Sequence, residues 1–365
     1  MWLFATTNYI NKFVSLGYKL LTMKTNMRNR RKFIKDAATL AAFGLIADWA
    51  SAIPATDRSG DILPQRQLTR DGQKVTAFCL GGYHLGFIDN PADAERMVER
   101  SIELGVRFYD NARGYINGRA EEYMGKFLTP RYRDQIFLMT KSHGRTGEEV
   151  RKMLDESLKA LKTDYVDLWQ IHNLTTPEEV DRRLEAGVLD VFLEAKQNGK
   201  TRYIGFSGHQ NPKTIIYFLN KLDGLGIEMD TCQMPLNVCD PSFESFQHHV
   251  LPALLEKKYG IIAMKTMAGG SMMGERIDTT PRNIETKEIP DVVGETQLTH
   301  ANLHQYVYSL PVSSLCSGCL FIHQLEANVK VLRDMKKLSE ADMNKMVEYA
   351  APYAGLIVEN YKRIF

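Results

Sequence analysis

Residues 136–141 read Ile136-Phe137-Leu138-Met139-Thr140-Lys141, an uncharged run that ends in a lysine. A strand with one wet face alternates apolar and polar side chains, whereas a strand covered on both faces, as in a parallel sheet, does not. Runs of this kind recur on either side: Val75–Leu80, Val106–Asp110, Tyr165–His172, Arg202–Phe206, Thr231–Met234, Gly260–Met264 and Ser313–Ser317. Between them lie stretches with helical spacing, Ala92–Leu104, Glu148–Leu161, Val188–Asn198, Pro212–Leu222, Phe243–Lys257 and Thr299–Ser309. Strands alternating with helices in this number predict an α/β fold closed into a (β/α)8 TIM barrel. The competing arrangement is a doubly wound open sheet, which wants a glycine-rich phosphate loop after its first strand. Leu80-Gly81-Gly82-Tyr83-His84-Leu85-Gly86 carries glycines but not the G-x-G-x-x-G spacing.

In a barrel of this type the chemistry sits where the strands end. Asp110, Lys141 and His172 close strands two, three and four, and Tyr115 follows Asp110 by one short loop. Each has an ordinary explanation: a helix cap, a surface charge, a core histidine, a loop aromatic. On successive strands those explanations need four coincidences. Together the four suit carbonyl reduction. Hydride arriving at a carbonyl carbon leaves charge on the oxygen, and a proton donor must neutralise it. A lysine ammonium beside a tyrosine is expected to lower the phenol pKa, an aspartate to keep that lysine charged, and a histidine to orient the carbonyl.

This ordered set resembles the aldo-keto reductase family over roughly Gln67 to Leu338. The motifs are Phe108-Tyr109-Asp110-Asn111-Ala112 with Tyr115, Gly118-Arg119-Ala120-Glu121 with Gly125, Thr140-Lys141, Leu168-Trp169-Gln170-Ile171-His172, Tyr203-Ile204-Gly205-Phe206-Ser207, and Gln233. The resemblance implies a catalytic tetrad of Asp110, Tyr115, Lys141 and His172 with Tyr115 as general acid. It implies NADP as cofactor, with NAD as the alternative, and a small carbonyl substrate. Ser207 and Gln233 would hold the nicotinamide carboxamide. Met264 would pack on the ring where relatives place an aromatic, and Lys265 would reach phosphate or substrate. Gly318, Gln324 and Asn328 fall in the segment that resembles the adenosine-phosphate loop. The asparagine usual after the fifth-strand serine is absent; Gly208 and His209 stand there instead.

Cys316-x-x-Cys319 lacks the second ligand pair that zinc would want, and no cysteine follows to build an iron–sulfur cluster, so neither metal nor cluster is expected. Among 365 residues, 44% hydrophobic and 25% charged with a net charge of +2, nothing marks a nucleic-acid partner. Five cysteines are too few for a disulfide scaffold.

The N-terminus reads differently. Arg28-Asn29-Arg30-Arg31-Lys32-Phe33-Ile34-Lys35, an apolar run from Ala37 to Ala47, and Ala50-Ser51-Ala52 have the layout of an export signal. The paired arginines resemble the twin-arginine (Tat) type, which implies export through the Tat machinery to the periplasm and cleavage near Ala52. The expected organisation is an extension and signal over 1–52, a linker over 53–67, the barrel over 68–338 and a helical tail over 339–365. The long stretch Gly269 to Gln297 is expected to fold over a bound cofactor. Two other functions share these features: an exported sugar oxidoreductase with tightly bound cofactor, and a cofactor-binding barrel without catalysis. Oligomeric state stays open.

Overall fold

The computed structural model describes residues 55–274 and 289–364. The signal region 1–52, and residues 275–288 of the stretch expected to cover the cofactor, lie outside the described residues. Eight strands form a closed parallel barrel: β1 (Phe78–Gly81), β2 (Phe108–Asp110), β3 (Phe137–Ser142), β4 (Val166–Ile171), β5 (Thr201–Ser207), β6 (Thr231–Pro235), β7 (Gly260–Met264) and β8 (Ser314–Ser317). β8 pairs back onto β1, with Cys316 opposite Cys79. Nearly every strand residue is buried, so these runs carry no alternation: one face fills the barrel and the other packs under the helices. Trp169 shows the second case. Its ring stacks on Phe192 at 3.6 Å, and its Nε1 donates to Ser142 Oγ at 3.0 Å.

The helices begin where the sequence supplies a cap followed by proline. Asn90, Thr176 and Asn211 each accept a backbone N–H from the first turn, and Pro91, Pro177 and Pro212 occupy first positions that need no donor. The helix Pro177–Glu185 leaves little trace in the sequence because its apolar stripe is thin; most of Pro-Glu-Glu-Val-Asp-Arg-Arg-Leu-Glu is charged. The stretch expected as one helix over Phe243–Lys257 is two short helices, Phe246–His249 and Leu251–Glu256, divided just before Pro252. Among the described residues no helix is long and apolar enough to cross a membrane.

The ends of the barrel domain differ from expectation. The polar segment before residue 67 is built into structure: Thr56–Asp57 pairs with Gly60–Asp61, and Gln65–Gln67 pairs with Lys74–Thr76. Asp57 forms an ion pair with buried Arg107 at 2.6 Å. Leu68 and Val75 join Phe108, Phe137 and Ile262 in the core, closing the barrel end opposite the candidate site. At the other terminus the helix Glu340–Ala350 stops well before Tyr361. Pro352 and Gly355, with φ of +141°, turn the chain back. Glu359, Tyr361 and Lys362 are then buried against the barrel.

Candidate active site

Asp110 and Lys141 end neighbouring strands and point into the same space, 3% and 1% exposed. The Lys141 ammonium pairs with Asp110 Oδ1 and donates to the Asn111 carbonyl at 2.8 Å and to the Tyr115 hydroxyl at 3.1 Å. His172 completes the group, its ring edge-on to Tyr115 with centroids 5.6 Å apart. Its backbone is fixed from two sides: the N–H donates to Ser142 O at 2.8 Å, and the His172 carbonyl accepts two bonds from Arg183 at 3.2 Å. All four side chains read as a catalytic group thus meet at the C-terminal end of the barrel.

Their electrostatics follow from burial. Burial works against the Lys141 ammonium, but Asp110 and Tyr115 outweigh it, and the lysine stays charged above its ordinary range. Burial raises the Asp110 pKa, with Lys141, the Cys316 thiol and the Gln233 amide acting the other way. Burial, followed by the Lys141 charge, holds His172 well below its usual value, so the imidazole is neutral at physiological pH. Tyr115 departs from the sequence expectation. Lys141 does lower its pKa, yet burial is the larger effect and the phenol ends above its ordinary value. Tyr115 therefore keeps its proton.

Ser207 and Gln233 lie opposite each other across β5 and β6. Ser207 Oγ donates to Ile171 O at 3.3 Å. Gln233 is 1% exposed, and its Oε1 has no hydrogen-bond partner. Buried amide oxygens are rarely left so, and the orphan fits a ligand that brings an N–H. Met264 and Lys265 end β7 half-buried, Lys265 with φ of +56° and its ammonium 5.8 Å from the Tyr361 ring. Gly318 begins the loop after β8, where a Cβ would collide with the His84 ring. Burial drives His84 down to about 4, which leaves a neutral ring there.

Gln324 and Asn328 are engaged within the protein. Gln324 Oε1 accepts from the Leu320 and Phe321 backbone at 2.8 and 3.2 Å, capping its own helix. Asn328 bonds His300 at 2.8 Å through Oδ1, and its amide donates to Ser317 Oγ and Cys319 Sγ. All five cysteines are buried free thiols. Tyr83 was not singled out by its sequence. Its ring meets Tyr115 edge-on at 5.2 Å and Phe87 at 5.1 Å, giving the site an aromatic wall. A cavity at the opposite end, lined by Arg70, Lys196, Arg202 and Asp230, offers no comparable chemistry. Its charges neutralise one another, as Lys196 does Asp230 at 2.7 Å.

The aldo/keto reductase family model matches residues 77–351, and the chain belongs to that family. It is 27% identical over 310 residues to the uncharacterized oxidoreductase YqkF of Bacillus subtilis, covering 77% of this chain and 95% of that one. It is likewise 27% identical to L-galactose dehydrogenase of Arabidopsis thaliana, covering 75% and 89%. In fold it matches the holo form of an aldo-keto reductase from Bacillus halodurans, with a TM-score of 0.63 and 23% identity over 80% of this chain and 97% of that one. NAD(P)H-dependent carbonyl reduction is the general reaction of the family, and this chain is an oxidoreductase of that kind.

Proposed function

We propose that the chain reduces a small aldehyde or ketone with Tyr115 as the proton donor, and that its cofactor is NADP, with NAD as the alternative. The observation that carries this is the Lys141 ammonium bound at once by Asp110, the Asn111 carbonyl and the Tyr115 hydroxyl. Ser207 and Gln233 would hold the nicotinamide carboxamide, and Met264 and Lys265 would border the dinucleotide. Bound there, the reduced ring supplies the hydride. The protein's own part is electrostatic and protic. Tyr115 holds a proton at its hydroxyl and donates it toward the carbonyl oxygen, while Lys141 stabilises the phenolate left behind. Neutral His172 offers a hydrogen bond that orients the same oxygen. Tyr83 and Phe87 exclude water from one side. The test is consumption of NADPH and NADH by purified protein across a panel of aldehydes, ketones and sugars. Turnover with none of them, despite cofactor binding, would favour a barrel that binds without catalysis.

A sugar substrate has separate support. Among the relatives are L-galactose dehydrogenase and, at 29% identity over 252 residues, the 6-dehydroglucose reductase of Novosphingobium aromaticivorans. Sugar oxidation with NADP or NAD is therefore assayed alongside reduction. We further propose, from Arg30-Arg31 and Ala50-Ser51-Ala52, that the Tat machinery exports the folded chain to the periplasm.

A further inference from the structure

Asn173, next to His172, has φ of +64°. Asparagine tolerates this left-handed region better than other residues with a Cβ, and a strained residue beside a reactive one invites a functional explanation. The bend is held in place. The Asn173 N–H donates to Ser207 Oγ at 3.2 Å, and the next residue, Leu174, donates its N–H to Ser207 O at 2.8 Å. The side chain is not accounted for in the same way: Asn173 Oδ1 is shut away from solvent with no hydrogen-bond partner. Gln233 Oε1 is in the same condition, on the residue directly opposite Ser207. Two residues adjoining one serine thus each carry an amide oxygen that is hidden and unused.

The position where relatives carry an asparagine offers no substitute. At Gly208 a Cβ would lie 2.5 Å from the Ile215 Cδ1 methyl, and Ile215 is fully buried. Ile215 takes up the room that a side chain at 208 would need, so position 208 itself presents only backbone. The amide side chain missing at position 208 is present at Asn173, on the loop after β4.

We propose that Asn173 is a cofactor-binding residue, its Oδ1 sharing the nicotinamide carboxamide with Gln233 Oε1. A primary amide carries two N–H donors on one nitrogen, and two orphaned acceptors are what it needs. This assignment rests on the nicotinamide reading given above. Its consequence is that the carboxamide is gripped from β4, β5 and β6, with the β4 contact one residue from the histidine that orients substrate. Ring position and carbonyl position are then set by neighbouring residues of one turn.

The test uses the full-length chain and calorimetric binding without substrate. The ligands are the oxidised dinucleotide and its 3-acetylpyridine analogue, which keeps the ring carbonyl but has a methyl group in place of the NH2. The wild type is expected to bind the analogue about tenfold more weakly, as for the loss of one to two hydrogen bonds. Asn173→Gly keeps the left-handed backbone and removes the acceptor. It is expected to weaken the natural dinucleotide by a similar factor and to shrink the discrimination against the analogue. Asn173→Asp retains an acceptor and is expected to restore discrimination. Undiminished discrimination in a folded Asn173→Gly protein overturns the assignment and leaves the reductase reading standing. Failure of the wild type to bind either NAD or NADP overturns the nicotinamide reading and the assignment together.

Discussion

The Lys141 ammonium donates to the Tyr115 hydroxyl at 3.1 Å while also lying 4.8 Å from the centre of the same ring. One cation thus serves both the oxygen and the π-face, from a place fixed by Asp110 and the Asn111 carbonyl. Because burial outweighs this cation in setting the phenol pKa, Lys141 does not produce a resting phenolate. Its contribution comes when the proton leaves, which is when stabilisation lowers a barrier.

Replacing Tyr115 with Phe removes the donor and keeps the ring contacts with Tyr83 and His172. Turnover is expected to fall by about 10²–10⁴ with cofactor affinity unchanged. Single-turnover kinetics and a cofactor titration check it; a Phe variant that turns over normally removes Tyr115 from the role of acid.

Replacing Asp110 with Asn leaves Lys141 buried without its counter-charge. Such a change costs on the order of 3–5 kcal/mol when one partner of a buried pair is lost. Burial, already the largest influence on Lys141, then lowers the lysine pKa. Two effects are expected together: a lower unfolding midpoint, and a basic limb of the pH–rate profile displaced toward acid. Wild-type stability would mean that the pair is not buried in solution.

The returning C-terminal segment carries a pH dependence. Lys362 pairs with Asp240 and Glu359 at 2.8 Å each, all three fully buried, so two carboxylates face one cation. Burial pushes Glu359 up to about 7 from its ordinary 4.5. A carboxyl group with a raised folded-state pKa favours the fold in its protonated form. Its contribution is whole below about pH 4.5 and is lost as pH rises to about 7. Hydrogen exchange over residues 355–364, corrected for intrinsic rates, is expected to quicken between pH 5 and 8. Glu359→Gln should flatten that dependence; an unchanged slope in the variant would assign it to another group.

Changing Arg30 and Arg31 together to Lys is expected to hold the precursor in the cytoplasm, since the twin-arginine pathway reads that pair. Fractionation of cells expressing each form decides it. Nucleotide released on denaturing periplasmic wild-type protein is the companion measurement. On the proposed Tat route a cofactor made in the cytoplasm would travel inside the folded chain, and nucleotide-free periplasmic protein would argue against tight retention.

Sequence by itself determined the barrel and the first ring of the site. A strand buried on both faces must be apolar throughout, so all eight strands are visible as runs; a polar group at the end of such a run is conspicuous, and that exposed Asp110, Lys141 and His172. Caps and prolines such as Asn90-Pro91 act within one turn and are equally legible. What only the tertiary structure decided depends on partners far along the chain. Lys362 and Glu359 look like tail residues bound for solvent until Asp240 is placed against them. Gln324 gives no sign in the sequence that its Oε1 caps its own helix. Asn173 has no local mark, because its left-handed bend is set by Ser207 on the neighbouring strand. The Tyr115 pKa is decided by how much water burial removes, a quantity that the spacing of four residues does not contain.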